Sequence, residues 1–313
     1  MDSITWLHLL VYFSYLFITG VYAWRTVKYA RMPVHLRWDL YPLPGEKGRE
    51  YGGSYLEEIN WWEKYRPSGL MRNIVYIVKD YLSFMQYFQR NRPYWFVLYP
   101  THVGFYLIFL LHVLMLFGGI TLAFGIPVSA EAANIWGVAL YYVTLVVGVS
   151  GFFIGAAGCI GLLAKRLMDK DQREFTPPMY YFNYIFFLAM FVSGAYAWLL
   201  HDPTFTVYRE FWKSLVTISP LHVDAATIVH IVLFSLFLIY MPFTRAMHYI
   251  TKFFTFFAIR WNDTPNFRGS KMEGKIQKNL GKHVSWSASH IQTGKTWAEV
   301  ATEVKYPDEP EAK

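Results

Sequence analysis

The sequence predicts an all-α membrane protein with five transmembrane helices, its N-terminus outside and its C-terminus in the cytoplasm. Three observations carry this. Hydrophobic residues make up 54% of the 313-residue chain and charged residues only 16%. Charge is missing altogether from residues 4–24, 93–130, 132–164, 175–201 and 225–244. Each stretch reaches the roughly 20 residues that a helix rising about 1.5 Å per residue needs to cross a hydrocarbon core. Of the 29 Lys and Arg residues, 12 fall in 25–92, four in 165–174 and 11 in 245–313, which leaves only Arg209 and Lys213 for the opposite side. Basic loops stay cytoplasmic, so this asymmetry sets the orientation. A multi-pass protein of the cytoplasmic membrane, in contact with its lipid, is expected. The formal net charge of +7 is then a topology signal and calls for no nucleic-acid partner.

The first crossing, 1–24, runs directly from Met1 and Asp2 into apolar sequence. It lacks the basic n-region and small-residue cleavage site of a secretory signal, so retention is expected. Segment 25–98 is cytoplasmic and rich in Trp, Tyr, Pro and charge. Within it, Leu70, Ile74, Ile77, Val78, Tyr81, Leu82, Met85 and Phe88 recur at helical spacing. Residues 70–90 therefore read as an amphipathic helix that lies on the membrane interface or packs against a partner subunit. Residues 99–259 form a four-helix unit. The third helix of the chain carries Gly148, Gly151, Gly155 and Gly158 at spacings of three and four, a nearly bare face that lets a neighbouring helix approach closely. Residues 260–313 are polar with little period and read as an extended tail lying on a cytoplasmic partner.

Cys159 is the single cysteine, which excludes an iron–sulfur cluster, an internal disulfide and a CxxCH haem attachment within this chain. A cofactor must be held by histidine or without a covalent bond. Ten histidines occur. His35, His283 and His290 lie in polar cytoplasmic segments, and His201 and His222 at the outer ends of the fourth and fifth helices. His8, His102, His112, His230 and His248 lie on or near membrane helices, where a polar side chain is costly and ordinarily has a partner or a task. His102 and His112 share the second helix, about 15 Å apart. His230 and His248, 18 residues apart, span five turns of the fifth helix, so they point the same way about 27 Å apart. With alternating crossings the second helix runs outward and the fifth inward. His102 is then level with His248, and His112 with His230.

A haem iron takes two axial imidazoles on opposite faces, so two level pairs on facing helices suit two b-type haems stacked along the membrane normal. One such histidine alone could equally hydrogen-bond a neighbouring helix or line a proton path. Arg245, one turn before His248, is placed to pair with a haem propionate. His8 has no comparable partner and reads as a helix–helix hydrogen bond or an outer-leaflet quinone contact.

Histidine pairs of this spacing on the second and fifth of five helices resemble the respiratory nitrate reductase gamma-subunit family, over roughly residues 100–260. The resemblance implies that His102 and His248 hold the inner haem iron and His112 and His230 the outer one, the pairing that helix direction also requires. The flanks RWNDTPN (260–266), VSWSASHI (284–291) and GKTWAEVATE (294–303) resemble the cytochrome b subunits of heterodisulfide-reductase-like membrane complexes. That implies a menaquinone site near the outer haem, a cytoplasmic iron–sulfur subunit of heterodisulfide-reductase type, and further membrane and periplasmic subunits. The lysine that the nitrate reductase family places at its quinol site has no counterpart here, because loop 125–134 holds Glu131 and no Lys or Arg. Glu131, His201 and His222, with Asp202 and Asp224, are the outer groups able to take quinol protons. Each reads more simply as a helix-end cap or solvated charge, and Arg209 and Lys213 as interfacial charges.

The expected role is therefore an electron-transfer subunit of a quinol-linked oxidoreductase complex. A proton-relaying transporter would show repeats, broken helices or intramembrane acid–base pairs. The chain has no internal repeat, and no Asp or Glu lies well inside a span. A cofactor-free membrane anchor would leave four buried imidazoles without a task.

Overall fold

The computed structural model describes residues 5–36, 58–64, 69–261, 264, 266–288, 291 and 293–303. Among them the regular structure is helical, with two isolated bridges, His283 to Thr296 and Ala288 to Ile291, as the β pairing. In chain order the helices are α1 (Trp6–Ala30), α2 (Leu70–Ser83), α3 (Met85–Arg90), α4 (Arg92–Ala123), α5 (Ile135–Met168), α6 (Lys170–Glu174), α7 (Pro178–Leu200), α8 (Thr206–Thr217), α9 (Ala225–Tyr240), α10 (His248–Arg260), α11 (Lys271–Leu280) and α12 (Trp297–Thr302). Five are long and apolar enough to cross a membrane: α1, α4, α5, α7, and α9 with the 3-10 turn that follows it to Phe243. These coincide with the five uncharged stretches. Large side chains such as Leu16, Val146, Ile185 and Leu199 stay exposed on them, as on lipid-facing helices. The chain is a multi-pass membrane protein.

The chain divides into two compact units, Met1–Ala23 with Leu82–Met247, and Trp24–Tyr81 with His248–Lys313. In the first, α4 and α5 pack through their glycines. A Cβ added at Gly104 would lie 2.2 Å from Gly155 Cα, and one at Gly158 would lie 2.3 Å from Thr101 N. No side chain fits between those backbones, so the small-residue face of α5 is a packing surface. The helix ends follow local chemistry. Asn91, Asn134, Asp169 and Asp224 each accept a backbone N–H from the first turn of α4, α5, α6 and α9, which meets one of the donors that a helix start leaves unpaired.

Two sequence expectations change, and the segment between the fourth and fifth crossings, which carries Arg209 and Lys213, is helical. It folds as α8, whose Tyr208, Phe211, Trp212 and Leu215 are buried, a stripe at i, i+3, i+4 and i+7. The helix expected over 70–90 is interrupted at Phe84, which takes a left-handed conformation at φ 49°; Trp95 Nε1 donates to the Ser83 carbonyl at 2.9 Å, beside the break. Of its apolar stripe Ile77 is buried, while Leu70, Ile74, Val78, Leu82 and Met85 are exposed. The fifth helix also breaks. Pro242 has no N–H to continue the ladder, and Thr244, extended at ψ 173°, donates its hydroxyl to Met241 O at 2.9 Å and accepts Ala246 N–H at 3.0 Å. His230 and His248 thus sit on separate helices, not on the one continuous helix expected.

In the second unit α2 and α10 pack together. Tyr76 stacks on Phe256 with centroids 5.8 Å apart, Tyr81 Oη donates to Tyr249 O at 2.7 Å, and Lys252 pairs with Asp80. The C-terminal segment carries structure of its own in α11 and α12. It is tied to the segment after α1: Asn279 Nδ2 donates to Val34 O at 2.6 Å and Trp261 Nε1 to His35 O at 2.7 Å. His290 lies outside the described residues.

Candidate functional site

The first unit brings together His112 from α4 and His230 from α9, both buried, with ring centroids 6.5 Å apart at 41°. Each ring is oriented by its Nδ1. His112 Nδ1 lies 2.8 Å from the carbonyl of Ile108, one turn earlier, and a carbonyl can only accept, so Nδ1 carries the proton. His230 Nδ1 lies 3.2 Å from Ser193 Oγ, whose own proton goes to Met190 O at 2.9 Å. Ser193 therefore accepts, and His230 is also the Nδ1–H tautomer. Both rings are left with a lone pair on Nε2, the nitrogen that can ligate a metal.

The two Nε2 atoms differ in surroundings. That of His230 is buried with no hydrogen-bond partner, a condition that ordinarily costs about 1–3 kcal/mol. That of His112 accepts from the Tyr208 hydroxyl at 2.9 Å. Tyr208 lies on α8, and burial holds its phenol well above the usual range, so it remains a donor. A ligand at His112 Nε2 takes the place of this hydroxyl.

Around the pair the walls are aromatic. Phe234 stacks on His112 with centroids 3.6 Å apart, and Phe152 stands edge-on to His230 at 5.3 Å. Two cavities of about 10 Å³ each adjoin the site, the first lined by His230, Gly194, Asp202 and Phe205, the second by His112, Tyr15, Trp212 and Phe234, with Tyr208 lining both. Gly194 borders the His230 ring so closely that a Cβ there would lie 2.8 Å from its Cε1.

The ring spacing and the two Nδ1 contacts fit a bis-imidazole site. At typical metal–imidazole bonds of roughly 2 Å, two rings on one ion have centres about 6 Å apart, close to the spacing seen. No group of three or more His, Cys, Asp or Glu able to hold a metal gathers among the described residues; a haem iron asks the protein for two ligands only.

The other expected residues fall elsewhere. His102 is half-buried on α4, with Nδ1 2.9 Å from Leu98 O and its ring 4.5 Å from Phe84; it repeats the Nδ1–H geometry of His112. His248 is exposed at the start of α10 and belongs to the second unit, whereas His102 belongs to the first. Arg245 lies over the Tyr180 ring at 5.6 Å. Glu131 and His222 are exposed. His201 ends α7 and lies 3.8 Å from Asp224, the cap of α9. Of the outer proton-accepting candidates only Asp202 borders the histidine cavities, and it also caps α8 by accepting Thr206 N–H at 2.7 Å and Tyr208 N–H at 2.9 Å. His8 is a helix–helix link: Nε2 meets Ser214 Oγ of α8 at 2.9 Å and Nδ1 meets Thr5 Oγ1 at 2.5 Å.

Sequence reasoning missed Ser193, Tyr208 and Arg209. The i, i+3, i+4 stripe of α8 was a signal for Tyr208; Ser193 carried none. Arg209 is no interfacial charge: it is 1% exposed, and burial pulls its guanidinium below the usual range. In comparisons with known proteins, no family model, curated protein or solved structure matches this chain.

Proposed function

We propose that this chain is the di-haem cytochrome b subunit of a respiratory complex, exchanging electrons between menaquinone near its outer face and a cytoplasmic iron–sulfur subunit of heterodisulfide-reductase type. The single observation that carries the reading is the His112–His230 pair: two buried imidazoles with ring centroids 6.5 Å apart, each held through Nδ1, the Nε2 of His230 buried without a hydrogen-bond partner and that of His112 met by the Tyr208 hydroxyl. When bound, haem supplies a reversible one-electron carrier. In this reading His112 and His230 hold one haem, the carbonyl of Ile108 and Ser193 keep their tautomers, and Phe152, Phe205 and Phe234 exclude water. His102 and His248 hold the second haem, with Arg245 beside its propionate. Glu131, His201 and His222 remain the outer groups for quinone chemistry, and Asp202, bordering the cavity, joins them.

The orientation that supports this reading is the one set by 27 basic residues against two, in the cytoplasmic membrane. The helix interruption at Pro242 falls at the end of the fifth span, not midway along it where transporters bind their cargo.

The deciding experiment is a reduced-minus-oxidised absorption spectrum of the purified chain, with the haem-to-protein ratio. Two b-type haems per chain are expected. His112→Ala and His230→Ala should each remove the same one, and His102→Ala and His248→Ala the other. A colourless wild-type protein, or equal loss of both signals in every variant, overturns the proposal.

A further inference from the structure

Arg209 heads the largest fully buried side chains among the described residues. A guanidinium keeps its charge in any protein and carries five N–H donors in a planar fork. Nη1 reaches only the Val128 carbonyl, at 3.5 Å. Nε and Nη2 are buried with no partner. Those two are the nitrogens of one edge of the fork, the edge that receives two oxygens of one oxyanion side by side.

The acids nearby are committed elsewhere. Asp202 accepts the N–H groups of Thr206 and Tyr208, and Glu210 pairs with Lys213 at 3.0 Å. No carboxylate among the described residues lies within ion-pair distance of Arg209. The surroundings are shaped to the side chain. Its stem runs over Gly118 of α4, where a Cβ would lie 2.9 Å from both Cγ and Cδ, and its fork lies 6.0 Å from the Tyr141 ring. Asp202 and Glu210 favour the Arg209 charge from a distance, but neither meets its bidentate edge, which is buried without an acceptor between a glycine and an aromatic ring.

We propose that Arg209 anchors an oxyanion between α4, α5 and α8, through Nε and Nη2. The ligand chemistry is a carboxylate or phosphate, and two sources present it. One is a propionate of the haem held by His112 and His230, which rests on the function proposed above. Gly118 lies six residues, about 9 Å, along α4 from His112, and Arg209 directly follows Tyr208, which touches His112. The other source is the phosphate of a membrane phospholipid.

The test uses the full chain purified with its haem and lipid, as wild type, Arg209→Gln, Arg209→Lys and Gly118→Ala. Optical redox titration and bound phospholipid per chain are the readouts. For a propionate, removing the cation disfavours the reduced haem. In Arg209→Gln the reduced-to-oxidised ratio at fixed ambient potential should then fall severalfold for the haem that His112→Ala removes, and not for the other. Arg209→Lys should recover part of the loss, and Gly118→Ala, which displaces the stem but keeps the charge, should fall between. Unmoved titrations with bound phospholipid lost in Arg209→Gln assign the site to lipid phosphate. Unchanged titrations and unchanged phospholipid overturn the proposal. Should Arg209→Gln fail to fold, the lysine and Gly118→Ala variants decide by the same readouts. A wild-type protein without haem would end the haem reading alone, and the phospholipid readout would still decide on Arg209.

Discussion

A histidine whose Nδ1 proton is tied to a fixed acceptor offers one nitrogen lone pair, in one direction. His112 obtains that acceptor from its own helix, one turn back, while His230 obtains it from Ser193 on α7. The second is the more fragile, because it depends on two helices holding register. Ser193→Ala is therefore expected to weaken haem retention by about tenfold to hundredfold, the usual effect of removing a partner behind a ligand, with little change in fold. A haemochrome assay against haem titration checks this, and wild-type retention would show that Ser193 does not orient the ring. Asp202 serves α8 in a similar way, since both of its oxygens cap the start of the helix. Asp202→Ala should cost about 1–2 kcal/mol, as loss of an N-cap does, read as a lower thermal midpoint in detergent.

At the scale of elements, close approach and interruption do the positioning. α4 can present His112 beside α9 only because it lies against α5 with no side chain between them. Gly104→Leu pushes a side chain into the α5 backbone, where even a Cβ would lie 2.2 Å from Gly155 Cα. It should yield little monodisperse protein by size-exclusion chromatography, while Gly274→Ala, in open space on α11, serves as a tolerated control. The interruption after α9 ends that helix before α10 begins at His248. Replacing Pro242 and Thr244 together by Ala restores an N–H and removes the hydroxyl that closes the turn. Continued helix then joins α9 to α10, so that His248 no longer starts a helix of its own. The expected outcome is loss of the haem that His248→Ala removes and retention of the other, read in the difference spectrum. Retention of both would mean that His248 does not depend on the break.

For the whole molecule the prediction is orientation. Reporters fused after residue 168, in the basic 165–174 loop, and after residue 218, beyond α8, should report opposite sides, the first cytoplasmic and the second external. The same side for both would remove the basis for pairing His102 with His248.

Much of this architecture was legible along the chain. The five crossings follow from charge-free length, because a charge within hydrocarbon is costly wherever its neighbours lie. The bare face of α5 follows from glycine spacing, and His112 and His230 from polar residues in apolar spans. Three things were decided only by tertiary structure. Arg209 reads as a loop charge until α8 folds and buries it against Gly118. The alignment of His230 with His248 assumes a straight helix, and Pro242 with Thr244 ends it. Ser193 is one serine among several until α7 brings it to His230. Hydrophobicity and helical period are properties of a segment, so sequence alone determined where this chain enters the membrane. A hydrogen bond or a burial between α7, α8 and α9 depends on residues far apart in the chain, and only the packed structure decided which of them meet.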